Sequence, residues 1–140
     1  MKKAVLLKGL FLLVMAAICL LATGCNSYGQ DNNYLRPVDF VNHLNRNGIR
    51  VDAVRPLDPR PLSASDALEL RIGESNIGVY KYDISRADQR TRLERIKQNK
   101  RVYFIGIPYP IYEVSGSFIV VGLDKHKDKE RILEALRTFK

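Results

Sequence analysis

The chain is poor in the residues that catalysis and covalent stapling use. Its 140 residues hold two cysteines, two histidines and no tryptophan. His43 and His126 are far apart in sequence, and there is no HExxH, paired CxxC, GxSxG, Walker loop or GxGxxG. Ser115 and Ser117 flank Gly116 in a turn with no base placed by sequence to activate either. His43, beside Asn42 and Asn45, reads as a solvated or partly packed helix residue, and His126, in "DKHKDKE", as part of a solvated helix start. These scarcities argue against hydrolytic, redox and metal chemistry, leaving a small hydrolase as the weakest alternative; no catalytic residue, metal or cofactor is expected.

The one long hydrophobic run lies at the start. Lys2, Lys3 and Lys8 precede fourteen residues, Gly9 to Ala22, without a charged side chain. A spanning helix needs roughly 20 apolar residues, so the run has the length of a secretory signal core rather than of a permanent span. It ends in "LATGC", Leu21 to Cys25, which resembles the lipobox of bacterial lipoproteins. In that family a dedicated peptidase cuts before a cysteine whose sulfur has received a diacylglycerol. The resemblance implies cleavage between Gly24 and Cys25, acylation of Cys25, and a lipid-anchored protein of the extracytoplasmic envelope. The anchoring membrane would be the periplasmic face of an outer membrane or the outer leaflet of a plasma membrane. Asn26, where an Asp is absent, resembles the outer-membrane signal of some Gram-negative lipoproteins.

Cleavage would change what remains. Cys19 leaves with residues 1–24 and Cys25 is occupied, so no disulfide staples the mature chain. Its 116 residues (140 less 24) suit one domain that buries about two thirds of its unfolded surface. The charge falls from 23 basic against 15 acidic residues to 20 against 15. That excess of five equals the excess within residues 86–101, "RADQRTRLERIKQNKR", where seven basic residues face Asp88 and Glu94.

Residues 25–36 read as the lipidated cysteine and a polar tether, and 37–140 as the domain. Pro37 suits a first helical turn, Phe40, Val41 and Leu44 share a face, and Asn47-Gly48 closes the helix. "IRVDAV" alternates as a strand. "RPLDPRPLSASD" is expected to be a stiff loop. "ALELRIGESNIGVYKYD" is a hairpin with a loop bounded by Gly73 and Gly78. "RVYFIGIPYPIYEVSGSFIVVGL" is a strand, a proline-rich passage, a Ser-Gly turn and a further strand, with Val102, Phe104 and Ile107 in the core. Ser85 is the expected cap of the basic helix, and Ile132, Leu133, Leu136 and Phe139 make the last helix amphipathic. The expectation is an α+β fold, order α-β-ββ-α-ββ-α, with one mainly antiparallel sheet of about five strands and helices on one face. The series "FVNHLNRNGIRV", "LELRIGESNIGVYKY" and "FIVVGL" resembles small extracytoplasmic bacterial domains of unknown function that follow a lipobox. That resemblance supports the fold and transfers no catalytic residue.

Two surfaces are candidates for binding. Along the basic helix only Ala87, Leu93 and Ile96 are apolar, so Arg90, Arg92, Arg95, Lys97, Lys100 and Arg101 form a broad cationic surface suited to anionic lipid or phosphate groups. The loop "GIPYPIYE" offers Tyr109 and Tyr112 for recognition. "RVYFIGI" loosely resembles one strand motif of RNA-recognition domains, but the companion aromatic motif is missing, so no nucleic acid is expected. The expected partners are the membrane, through the anchor, and an anionic lipid or an envelope protein.

Overall fold

The structure is a computed structural model that describes residues 32–140; the lipobox, with Gly24 and Cys25, lies outside the described residues. Three helices are present, α1 (Pro37–Arg46), α2 (Ala87–Asn99) and α3 (Lys129–Arg137). There are seven strands, β1 (Ala53–Pro56), β2 (Asp66–Ile72), β3 (Ser75–Lys81), β4 (Arg101–Phe104), β5 (Ile107–Pro110), β6 (Val114–Ser115) and β7 (Phe118–Val121). Five strands form an antiparallel sheet in the order β1-β2-β3-β7-β6, and β4 and β5 form a separate two-stranded ribbon.

The α+β class holds, but helices do not pack on one face alone. Because strand side chains alternate, β2, β3 and β7 present apolar residues both ways. Leu70, Ile72, Ile77, Val79, Phe118 and Val120 join Phe40, Leu44, Ile132, Leu136 and Phe139, so α1 and α3 cover one face. Ala67, Tyr80, Tyr82, Ile119 and Val121 meet Leu93, Ile96, Val102 and Ile111 on the other, beneath α2 and the ribbon. All four residues of β7 are buried, which accounts for the uninterrupted apolar run "FIVV".

The proline-rich segments are also more ordered than expected. Pro56 is tolerated in β1 because β1 is an edge strand. Pro108 and Pro110 lie within β5, opposite Tyr103 and Arg101. The ladder continues at Ile111, whose N–H donates to Lys100 O at 2.9 Å. Hydrogen-bonded and non-bonded pairs alternate in an antiparallel ladder, so both prolines fall at positions that need no N–H toward β4. Gly78 is inside β3, paired with Glu69 and Val121, so the hairpin turn is shorter than expected. The Tyr80 ring crosses that glycine, and a Cβ there would lie 2.8 Å from Tyr80 Cε2. "IRVDAV" enters the sheet only at Ala53; before it, Val51 N–H donates to Asn45 Oδ1 of α1.

The body begins ahead of Pro37. Asn32 is fully buried, its Nδ2 donating to the carbonyls of Ser115 (3.2 Å) and Phe139 (3.0 Å), while Ser117 N–H donates to its Oδ1 (2.8 Å). Asn33 adds a second clasp: Ile84 N–H and Ser117 Oγ donate to its Oδ1, and its Nδ2 donates to Asp83 Oδ1. Two residues assigned to the tether are thus structural parts of the domain. Their short amides satisfy backbone groups at the β6–β7 turn and the C-terminus. Asn32→Ala strands three buried partners, and we expect a loss of about 2–4 kcal/mol in urea unfolding of the domain; a loss within measurement error would show that Asn32 is not a clasp.

Candidate functional site

Helix α2 owes its place to a narrow apolar stripe. Leu93 and Ile96 are buried in the second core, as is the aliphatic part of Gln89, whose Nε2 donates to Ser63 O at 2.7 Å. The start of the helix differs from expectation. Arg86 precedes the first turn, and Ser85 instead turns its hydroxyl onto Asp83 Oδ1 at 2.6 Å. That hydrogen bond and the one from Asn33 hold the Asp83 carboxyl below its ordinary pKa. At the far end Lys100 closes the helix in the left-handed conformation, φ 54°, with its N–H on Ile96 O at 2.7 Å.

The six cations predicted for this segment do not share one surface. Arg92, Arg95 and Arg101 line a groove of about 220 Å³ between α2, β4 and the 3₁₀ turn at Arg60–Leu62. Its other walls include Asn99, Tyr103 and Pro61. Arg92 and Arg95 also border a second depression along α2 with Thr91 and Asp88. Lys97 and Lys100 line a different hollow with Tyr112 and Glu113. Arg90 is turned to the start of the helix, where its guanidinium donates to Ile84 O at 2.8 Å.

What distinguishes the groove is three arginines in one wall with no acidic residue among its lining. Arg36, Arg50, Arg55, Arg60, Arg86, Arg131 and Arg137 each have a carboxylate within 4 Å. Among the described residues no such ion pair involves Arg92, Arg95 or Arg101, nor Arg46, Arg71 or Arg90, but only the first three share one hollow. Three arginines therefore line one hollow whose wall holds no acidic residue. Small-molecule sites usually enclose roughly 300–1,000 Å³, so this one has the scale of a single anionic group. Arg, with its planar fork of donors, matches phosphate or carboxylate geometry.

The tyrosines expected to form a recognition loop are engaged elsewhere. Tyr109 is half-buried and meets Phe104 edge-on, 5.2 Å between ring centroids. Tyr112 lies beneath Lys129, whose Nζ is 3.5 Å from the ring centroid, and its hydroxyl donates to Asp124 Oδ1. Tyr112 keeps part of its surface exposed, and the more exposed aromatic of this region is Tyr103, in the groove wall. Ile107, assigned to the core by strand alternation, is 58% exposed, because it stands at the tip where the ribbon has passed the edge of the body.

That tip is the least comfortable turn in the chain. Phe104 pairs with Ile107, leaving Ile105 and Gly106 as a two-residue loop with φ of 49° and 78°. These values belong to a type I′ turn, which favours Asn-Gly. A left-handed backbone costs a side chain with a Cβ roughly 1–2 kcal/mol, and β-branching makes it rarer still. Sequence reasoning missed this turn because "IG" has the glycine but an isoleucine where Asn is usual.

The histidines do not form a second site. His43 Nε2 lies 3.0 Å from Thr138 Oγ1, and its ring packs by Phe40 and Phe139, with burial lowering its pKa. It borders an open depression of about 550 Å³ shared with Asp39, but that carboxylate accepts the Arg36 N–H as a helix-start contact. His126 is buried, against expectation. Asp128 N–H donates to its Nδ1 at 3.0 Å, while Nε2 has no partner among the described residues. Among the described residues no group of three His, Cys, Asp or Glu is disposed to hold a metal ion. No described helix is long and apolar enough to cross a membrane.

No protein-family model, curated protein or solved structure matches the chain.

Beneath the groove, Tyr82 is fully buried and donates its hydroxyl to Leu62 O at 3.1 Å. Burial raises its pKa, with the nearby Arg92 charge acting the other way. Burial, with smaller contributions from Asp58 and Glu69, pushes Tyr80 up to about 12. Unfolded tyrosines ionise near pH 10, so this stabilisation is complete below about 10 and is lost as pH rises through the folded values. Urea midpoints should fall steeply above about pH 10, and Tyr80→Phe should flatten the fall; a wild-type midpoint unchanged in that range would refute the assignment.

Proposed function

We propose that this chain is a lipid-anchored extracytoplasmic protein whose domain is a non-catalytic binding module, taking phosphate-bearing anionic groups at a membrane surface in the groove of Arg92, Arg95 and Arg101. One observation carries the reading: three arginines, none of them in an ion pair among the described residues, line one small hollow that has no acidic residue in its wall. A solvated helix face that only kept the protein soluble would have no need of Arg clustered around a hollow with an aromatic wall.

The address rests on the lipobox-like "LATGC" and acylation of Cys25. From Cys25 to Asn32 there are seven residue steps, which span at most about 25 Å fully extended. A diacylglycerol-bearing Cys25 thus holds the domain within reach of headgroups, where each basic residue gains about 1 kcal/mol near an anionic leaflet. The lysines at 97 and 100 lie outside the groove and add general attraction to the same surface. An envelope protein bearing clustered acidic or phosphate groups is the second partner class compatible with the groove.

Two experiments test the two halves of the reading. Cys25→Ser in the full chain should abolish incorporation of labelled lipid and release the protein from membranes; retention of both would overturn the anchor. For the groove, residues 25–140 carrying Cys25→Ser are mixed with phosphatidylcholine vesicles containing phosphatidylglycerol. Reversing Arg92, Arg95 and Arg101 to Glu should lower binding at low salt by more than about a hundredfold, the loss expected from three contacts of roughly 1 kcal/mol before the added repulsion. Reversing Lys97 and Lys100 should cost less, and equal losses per charge would replace the groove by unspecific attraction.

A further inference from the structure

We infer that the β4–β5 hairpin is a wedge that inserts its tip, Ile105 with Ile107, into the interface of an anionic bilayer while Tyr103 and the arginine groove stay at headgroup level. The inference rests on the proposed placement of the domain at a membrane surface and adds the element that would enter it.

Four observations converge on this ribbon. Ile105 is fully exposed, Ile107 58% and Tyr103 54%, so three large apolar side chains leave the body at one place. Nothing lies within 4 Å of where a Cβ on Gly106 would stand, so the tip projects into open space. The turn holds a β-branched apolar residue at φ 49°, where Asn would sit without strain. A costly residue at an exposed position, with no internal contact to justify it, points outward to a partner. Finally, Pro108 and Pro110 remove two N–H groups from the outer edge of β5, which blocks pairing with a strand from another protein.

The order of side chains along the ribbon selects the lipid surface as that partner. Ile105 is at the tip, Tyr103 two residues back and Arg101 two further back, on the groove wall with Arg92 and Arg95. At about 3.4 Å per residue these stand roughly 7 Å apart. Interfacial segments bury apolar side chains about 5–10 Å into the headgroup and acyl boundary. Tyrosine favours the interface itself, and arginine meets phosphate. Apolar tip, aromatic collar and cationic base thus follow the layering of one leaflet. Shallow entry also leaves water near the turn backbone, as an unpaired loop requires.

The absence of tryptophan supplies a clean reporter. Ile107→Trp in the full chain, produced with its own leader and reconstituted, is compared in vesicles of phosphatidylcholine alone and with added phosphatidylglycerol, each also made with brominated acyl chains. The inference expects blue-shifted emission and quenching by bromine in the anionic vesicles. Ile105→Asn in the same background should at least halve the quenching while holding or raising the thermal midpoint, because it restores the preferred turn. Ile105→Thr, which keeps β-branching and loses apolarity, should halve it as well. Emission that stays solvent-like in both vesicle types overturns the wedge and leaves the tip to a protein contact; quenching insensitive to both substitutions overturns the role of Ile105. Insertion equal in the two vesicle types keeps the wedge and counts against the anionic groove. Groove-dependent binding with a solvent-like tryptophan keeps the groove and removes the wedge.

Discussion

The constraint on which the structure depends is that β7 is buried on both faces. A four-residue strand with four apolar side chains cannot sit in a sheet that has one face in water. Phe118 and Val120 call for one cover and Ile119 and Val121 for another, so the chain must return elements to both sides. Helices α1 and α3, strongly amphipathic, supply the first. The second is assembled from weaker material: a polar helix with a two-residue apolar stripe, a proline-bearing ribbon and the 3₁₀ turn. Each contributes too little apolar surface to complete that face alone, and together they enclose Tyr80 and Tyr82.

This division explains where the proposed binding surface lies. The helix that covers the second face buries little, so most of its circumference is left for charge. The ribbon beside it is anchored by Val102 and Tyr109 and has no further sheet to join, so its far end is free to project. Cationic groove and apolar tip are both by-products of covering a sheet with elements that are mostly surface. On α3, Arg131 pairs with Asp128 and Arg137 with Glu113 and Glu134.

Where one periodicity dominated, the fold was legible in the sequence. Helix α1 closes at Asn47-Gly48, with Gly48 at φ 73°, and α3 and the β2–β3 hairpin lie where apolar spacing put them. What escaped were features decided by tertiary context. Whether Pro108 and Pro110 break a strand depends on which ladder positions they occupy, and that follows from a turn the sequence does not advertise. His126, amid "DKHKDKE", looks solvated, yet the fold buries it and Asp128 N–H donates to its ring. Asn32 and Asn33 look like tether because nothing local distinguishes a solvated amide from one that clasps three distant segments. For the candidate site, the cationic helix was evident and its division was not. Whether two cations share a hollow depends on the helix's rotation over the sheet, set by Leu93 and Ile96 and by the position of β4.

The clasp at Asn32 has a mechanical meaning. Tension arriving at Asn32 is shared at once between the β6–β7 turn, at Ser115 and Ser117, and the backbone of Phe139. Those three hydrogen bonds join the β6–β7 pair to Phe139, just past α3, so a pull at Asn32 would load both places before α1. A domain loaded in this way resists force at its attachment point by spreading it, and would yield as a unit rather than unravel from its N-terminal end.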